Sequence, residues 1–319
     1  MIFPIRFVDE TTMHTAADNG PGQRSFVLTS KALLETARPK QWIKNLFVFA
    51  ALVFARELGK LGPCLDALLA FVLFCCFSSS VYFLNDVLDI DRDRWHPEKR
   101  HRPLPSGRLS VRAALLASVL LAVLGSVVAF LVFGIHFLGI GLAYIVINVA
   151  YSFWLKSIVL LDGMAIAGGF VLRAYAGAVA ISTEMSDWLY LCALFISLFL
   201  AFCKRRQELA TLEEAATDHR DILEEYPLPF LDQLIAVLTG ATLVCYSLYT
   251  LDPEVVAALN RGEGLKLTVP FVVYGLLRYQ YLVYRHEEGG NPTDLLLRDR
   301  HLMVNFALWL VLMLSIIYF

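Results

Sequence analysis

One asparagine and four aspartates fall in the run Tyr82-Phe-Leu-Asn85-Asp86-Val-Leu-Asp89-Ile-Asp-Arg-Asp93-Arg-Trp-His96-Pro97. On a continuous helix Asn85, Asp89 and Asp93 fall at i, i+4 and i+8 and line one face, with Asp86 flanking it. Carboxylates stacked this way repel one another, and a hard divalent cation neutralises them. Magnesium takes one or two protein carboxylates and completes its octahedron with water and phosphate oxygens. The competing reading is a solvated helix end in which Arg92 and Arg94 pair locally with the aspartates; Asp91 fits such a bystander role. The next segment, His96-Pro-Glu-Lys99-Arg100-His-Arg102-Pro-Leu-Pro-Ser-Gly107, weakens that reading by adding anion-binding donors. Pro97 and Pro103 stop the helix and fold the basic loop back. Carboxylates for a metal, followed at once by bases for an anion, point to a metal-diphosphate site.

Further charges stand in or beside apolar runs. Lys44 lies in Arg38-Pro-Lys40-Gln-Trp-Ile-Lys44-Asn45, Lys156 ends Tyr151-Ser-Phe-Trp-Leu-Lys156, and Lys204-Arg205-Arg206-Gln-Glu208-Leu closes another run. Asp162 and Arg173 fall within one apolar stretch. A charge inside a membrane costs at least about 2.5–3.5 kcal/mol, so Arg173 requires an anionic partner or a water-filled cavity. An Asp162–Arg173 pair is the bland account, although eleven residues set the two about three turns apart. Lysines at span ends also snorkel to the interface without further function.

The elements that must position these residues are set by composition. Of 319 residues, 58% are hydrophobic and only 18% charged, and the mean hydropathy is +0.61. An ordinary soluble domain carries about 25% charged residues, so a polytopic membrane protein is what remains. The net charge of −2 leaves no global basic footprint and argues against nucleic-acid binding. Apolar runs of about 20 residues predict nine spans, near 41–57, 64–84, 111–133, 136–155, 158–181, 187–203, 231–251, 265–283 and 302–318. Continuous rather than alternating apolar residues exclude a membrane barrel. With the N-terminus inside, 21 Lys and Arg lie on the cytoplasmic side. Only Arg56, Lys60, Arg261 and Lys266 lie opposite, as the positive-inside rule requires. Residues 1–34 read as a cytoplasmic tail with no signal-peptide pattern, and 35–319 as one domain. The six cysteines form no C-x-x-C pair and read as small core residues. No convincing internal repeat is present, which counts against a transporter.

At these residues the chain resembles the UbiA-type intramembrane prenyltransferase superfamily, nine-helix proteins sharing N-D-x-x-D-x-x-x-D, matched in full by Asn85 to Asp93. Within it the closer resemblance is to the decaprenyl-phosphate phosphoribosyltransferases. Arg38 to Asn45 matches their R-P-x-Q-W-x-K-N, and His96 to Pro103 their H-P-x-K-R-x-R-P. Tyr151 to Lys156, Leu172 to Gly177, Lys204 to Leu209 and Leu297 to Arg300 match further motifs, so the likeness covers residues 35–319. Members acting on aromatic acceptors carry a second aspartate-rich motif where this chain has Lys204, Arg205, Arg206 and Glu208, a departure suited to extra phosphates.

The resemblance implies an all-α fold of nine transmembrane helices around a cytoplasm-facing cavity, in the inner membrane. It implies Mg2+-dependent transfer of a 5-phosphoribosyl group from 5-phosphoribosyl 1-diphosphate to a polyprenyl phosphate, a step of cell-envelope biosynthesis. Asn85, Asp86, Asp89 and Asp93 would hold the metal, and Asp86, Asp89, Asp93, Lys99 and Arg100 would act on the leaving diphosphate. Lys44, Tyr82, Asn85, Lys99, Arg100, Arg102, Lys156, Arg173, Lys204, Arg205 and Glu208 would bind substrate. The acceptor phosphate is already anionic, so no general base is required. Partners are the two substrates and the lipid bilayer; a homo-oligomer is left open. The alternatives are prenyl transfer from a polyprenyl diphosphate to an aromatic acceptor, a cation-coupled transporter, and a purely structural membrane protein.

Overall fold

A computed structural model describes residues 30–214, 225–258, 262–285, 295 and 298–319. Most of the predicted tail, together with Arg220, Arg261 and Leu297, lies outside them. Every regular element among the described residues is helical. After α1 (30–37), the left-handed residue Arg38 (φ 54°) turns the chain into a 3-10 helix, Pro39–Phe49, which continues as α2 (Ala50–Phe54). Then follow α3 (Leu61–Leu88), α4 (Ile90–Trp95), α5 (Val111–Phe153), α6 (Leu161–Ala180), α7 (Asp187–Glu214) and α8 (Leu228–Leu251). The short α9 (Pro253–Ala258) leads to a 3-10 turn, Gly262–Thr268. Finally α10 (Val269–Arg285) and α11 (Arg300–Tyr318) complete the chain.

Six of these helices are long and apolar enough to cross a membrane: α3, α5, α6, α7, α8 and α11. The chain is an integral membrane protein. The nine-span expectation counts differently at three places. The 43 residues of α5 are broken at Gly134 (φ 78°, ψ −168°), a conformation open essentially to glycine alone. A straight helix would place Gly125 and Gly141 about 24 Å apart. Both instead abut the ring of Phe77, where added Cβ atoms would come within 3.0 and 2.6 Å of it. α5 is therefore a hairpin folded around α3, and residues 111–133 and 136–153 are its two arms. The first predicted span is mostly 3-10 helix, with only the five residues of α2 in α-helix, and the eighth is split between a 3-10 turn and the 17-residue α10.

Packing is dense on the inner faces. Val48, Phe74, Phe77, Ala129, Phe137 and Tyr144 form one core, while Phe199, Phe202, Leu231, Ile235 and Tyr279 form another between α7, α8 and α10. A small cluster of Ala32, Phe83, Leu104, Leu109 and Ala114 fastens α1 and the 96–110 loop over the end of α3. Gly177 of α6 meets the 3-10 segment so closely that a Cβ would stand 1.9 Å from the Val48 carbonyl oxygen. Apolar side chains such as Leu116, Leu131, Ile135 and Val146 face outward from α5, where lipid replaces water.

Candidate active site

The 28 residues of α3 measure about 42 Å against roughly 30 Å of hydrocarbon, long enough to reach past the apolar layer, and the acidic motif begins in its last turn. The helix does not run on unbroken. Asp89 (φ −95°, ψ 6°) closes α3, and α4 starts at Ile90. Bonds from Asp89 N–H to the Asn85 carbonyl (2.9 Å) and from Asp93 N–H to the Asp89 carbonyl (2.8 Å) still carry the direction across the joint. Asp86 and Asp93 are thereby buried, at 2% and 3% exposure, while the Asp89 side chain stays 40% exposed. Asp86 and Asp93, rather than the even stripe expected from helical periodicity, share the buried face.

Bases from three segments meet these acids. Arg102 Nη1 donates to Asp93 Oδ2 at 2.6 Å and lies 3.5 Å from Asp86 Oδ1, which shows the basic loop folding back as its prolines predict. Arg38 donates to the same Asp86 oxygen, with its guanidinium 5.0 Å from the Tyr82 ring centroid. Lys156 Nζ stands 3.6 Å from Asp89 Oδ1, and Ser152 donates to Asn85 Oδ1 at 2.6 Å. Lys99 and Arg100 sit in a 3-10 turn, Lys99–His101. Arg100 is exposed, its Nε 3.3 Å from His101 Nε2, whereas Arg102 of the same loop reaches the carboxylates.

Deeper in the bundle lies a second group of cations. Arg173 is 5% exposed and is held by neutral acceptors: Asn45 Oδ1 at 2.7 Å, the Gly169 carbonyl at 2.7 Å and the Tyr144 hydroxyl at 2.8 Å. Its guanidinium also rests on the rings of Tyr144 and Phe170, at 4.6 and 5.3 Å. Asn45 in turn donates to Ser78 and Cys75 of α3, which locks the 3-10 segment to that helix. Lys44 lies within electrostatic reach of Arg173, Lys204 and Arg38. Three positive groups, from the Arg38–Asn45 segment, α6 and α7, thus lie within electrostatic reach of a fourth, Lys44, a strongly attractive setting for polyanions.

The Asp162–Arg173 pair considered from the sequence does not form. Asp162, fully buried, accepts from Arg205 Nε at 2.5 Å and from the Tyr226 hydroxyl at 2.7 Å. Three turns along one helix separate Asp162 from Arg173, whereas α7 brings Arg205 directly alongside. The same contact sets the place of Arg205, expected from the sequence to bind substrate. That side chain is 1% exposed, and its guanidinium is taken up by Asp162, by Glu208 at 2.5 Å and by the Tyr151 hydroxyl at 3.0 Å. Glu208 is shared between Arg205 and Lys204, the latter at 3.7 Å. Sequence reasoning missed Arg38, Asn45, Tyr144 and Ser152 as site residues; two of them were visible as the ends of the Arg38–Asn45 motif.

Among the described residues no three His, Cys, Asp or Glu side chains converge as a ready-made metal cluster, and Arg102 stands between Asp86 and Asp93. The donor set nonetheless fits magnesium. It offers hard oxygens from Asn85, Asp86, Asp89 and Asp93, of which magnesium needs one or two carboxylates, with phosphate oxygens supplying the rest.

Comparison with known proteins agrees with this architecture. Residues 45–290 match the family model described as the UbiA prenyltransferase family. The decaprenyl-phosphate phosphoribosyltransferase of Mycolicibacterium smegmatis is 34% identical over 300 residues, covering 90% of this chain and 92% of that protein. The enzyme of the same name from Corynebacterium glutamicum is 33% identical, covering 90% and 86%. Among solved structures, a UbiA homologue from Archaeoglobus fulgidus bound to GPP and Mg2+ superposes with a TM-score of 0.67 at 20% identity, covering 90% of this chain and all of that one.

Proposed function

The chain belongs to the UbiA prenyltransferase family, and from that premise we propose that it transfers a 5-phosphoribosyl group from 5-phosphoribosyl 1-diphosphate to a polyprenyl phosphate, releasing diphosphate. The observation that carries this reading is the pairing of an acidic rim, Asp86, Asp89 and Asp93, with a basin of Arg38, Lys44, Arg173 and Lys204. A diphosphate, a ribose 5-phosphate and a lipid phosphate together need more positive charge than one metal supplies. The Lys204–Glu208 stretch provides cations where a second acidic motif would repel such groups. The relatives named for this reaction share about a third of their residues with the chain across nearly its whole length.

Asn85, Asp86, Asp89 and Asp93 would hold Mg2+, which when bound neutralises the leaving diphosphate as charge develops on it. Arg102 and Arg38 then exchange their carboxylate partners for phosphate oxygens, and Lys99 and Arg100 close over the leaving group from the same loop. Lys156 steadies Asp89 at the rim. Arg173, Lys44 and Lys204 orient the acceptor phosphate and the ribose 5-phosphate, with the Tyr82 hydroxyl beside them. Fixed charges of this kind stabilise the transition state without reorganising at the moment of reaction. The acceptor phosphate attacks carbon 1 of the ribose opposite the departing diphosphate, so the configuration there inverts.

In this reading α5 crosses the membrane twice, and the Pro39–Phe54 and Gly262–Arg285 segments cross once each, nine spans in all. The acidic rim and the N-terminus face the cytoplasm of the inner membrane, where phosphoribosyl diphosphate is made. The test uses purified protein in detergent with radiolabelled phosphoribosyl diphosphate, decaprenyl phosphate and magnesium, with and without EDTA. Labelled lipid formed only with magnesium supports the reading. Product from prenyl diphosphate and an aromatic acid, and none from phosphoribosyl diphosphate, replaces it with the prenyl-transfer alternative.

A further inference from the structure

The loop between α5 and α6 carries Lys156 to Asp89, and its approach from α5 carries Ser152 to Asn85. Nothing in its own sequence makes that loop rigid. It leaves α5 at Trp154, forms a single 3-10 turn, Leu155–Ser157, and enters α6 through Leu160 at φ 70°, ψ −41°. A branched residue adopts positive φ only under constraint. The constraint is visible at both ends of the loop. At one end the Leu160 N–H donates to the Tyr226 hydroxyl at 2.5 Å, and that hydroxyl donates on to Asp162 Oδ1 at 2.7 Å. At the other end Arg205 Nη2 donates to the Tyr151 hydroxyl at 3.0 Å, while its Nε binds the second oxygen of Asp162 at 2.5 Å. Tyr226, Asp162 and Arg205 are 2%, 0% and 1% exposed, and the Tyr226 ring packs on Phe202 of α7, centroids 6.4 Å apart.

We propose that Tyr226, seated on the buried Asp162–Arg205 pair, is a positioning residue that clamps the α5–α6 loop so that Lys156 and Ser152 meet the acidic rim. Tyr226 lies at the entry to α8, remote in sequence from every motif singled out above, and touches none of the rim residues itself. Its action runs through the backbone of Leu160. A buried network with every member satisfied holds one geometry, and one lost hydroxyl leaves both the Leu160 N–H and a carboxylate oxygen short of a partner. The inference rests on the proposed transferase reading for its catalytic consequence and not for its structural one.

The experiment therefore has two readouts on the full chain in detergent. Tyr226→Phe keeps the ring on Phe202 and removes only the hydroxyl. Hydrogen–deuterium exchange over residues 154–162 is expected to rise at least fivefold while α3 and α8 keep their protection. In the transferase assay kcat is expected to fall about tenfold, and much less in a Lys156→Ala background, because both changes remove the same positioned group. Unchanged exchange in the loop overturns the clamp whatever the enzyme's reaction proves to be. Changed exchange with full, independent losses in the two backgrounds overturns the route through Lys156. Absence of transferase activity in the parent protein, with exchange still raised, fails the functional reading and leaves the clamp standing. Leu160→Gly, which takes positive φ freely, supplies a second pair should the single variant be unstable. Leu160→Gly/Tyr226→Phe is expected to exchange faster than Leu160→Gly alone, and equal exchange overturns the proposal.

Discussion

Asp86 and Asp89 are three residues apart in one motif and do different work. Asp86 is buried beneath two arginines, and Asp89 is 40% exposed with a single lysine at 3.6 Å. On the proposed metal-holding role, replacing Asp89 by alanine removes one ligand oxygen and disturbs little packing. Turnover is expected to fall about a hundredfold or more, with a thermal transition within a degree or two of the parent. Asp86→Ala strips the shared partner from Arg38 and Arg102. Those arginines are about a third exposed, which moderates the penalty of breaking a buried pair to about 2 kcal/mol. That variant is expected to lose both activity and several degrees of thermal stability in the same detergent. Equal thermal shifts for the two would show that the rim does not distinguish a buried from a solvated carboxylate.

The acidic and basic motifs were legible in order and spacing, and their prolines correctly turned Arg102 back onto the carboxylates. The partners of Asp162 and Arg205 were not legible, because they depend on which faces of α6 and α7 meet, and no local pattern encodes that. The break at Asp89 was equally hidden, since a single change of ψ leaves hydrophobic periodicity intact. Two elements offer direct checks. At Gly177 the approach of α6 to Val48 leaves no room for a methyl group, so Gly177→Ala is expected to cost about 3 kcal/mol, measured as a fall in the denaturation midpoint. At the start of α11 the Asp299 carboxylate caps Leu302 N–H at 2.8 Å and accepts from Arg278 at 2.7 Å. The hydrogen bond from Arg278 holds its carboxyl below the ordinary value of 3.8. A depressed carboxyl stabilises the fold above that value, and the stabilisation is lost as pH falls through the lower folded-state value. Asp299→Asn is accordingly expected to be less stable than the parent at pH 7, with the difference closing below about pH 4. A difference that persists unchanged in acid would refute the assignment.

Across the whole molecule, the apolar runs and the charge asymmetry made an all-helical membrane protein evident, and the structure places the same runs in helices. The first and eighth runs do not form single spanning α-helices, because 3-10 segments take up part of each. Topology is testable with single cysteines in a background lacking the native six. Arg108→Cys, beside the rim, is expected to react with a membrane-impermeant maleimide only in inverted vesicles, and Lys60→Cys only in right-side-out vesicles. The reverse pattern would turn the active face outward. The hairpin of α5 adds something about how such a chain is made. Its two arms are joined at one glycine with no hydrophilic stretch between them, so during synthesis some forty apolar residues emerge as a single run. Neither arm offers the insertion machinery a polar segment at which to stop. On the proposed nine-span arrangement the two arms therefore enter the bilayer together, as one unit of biogenesis.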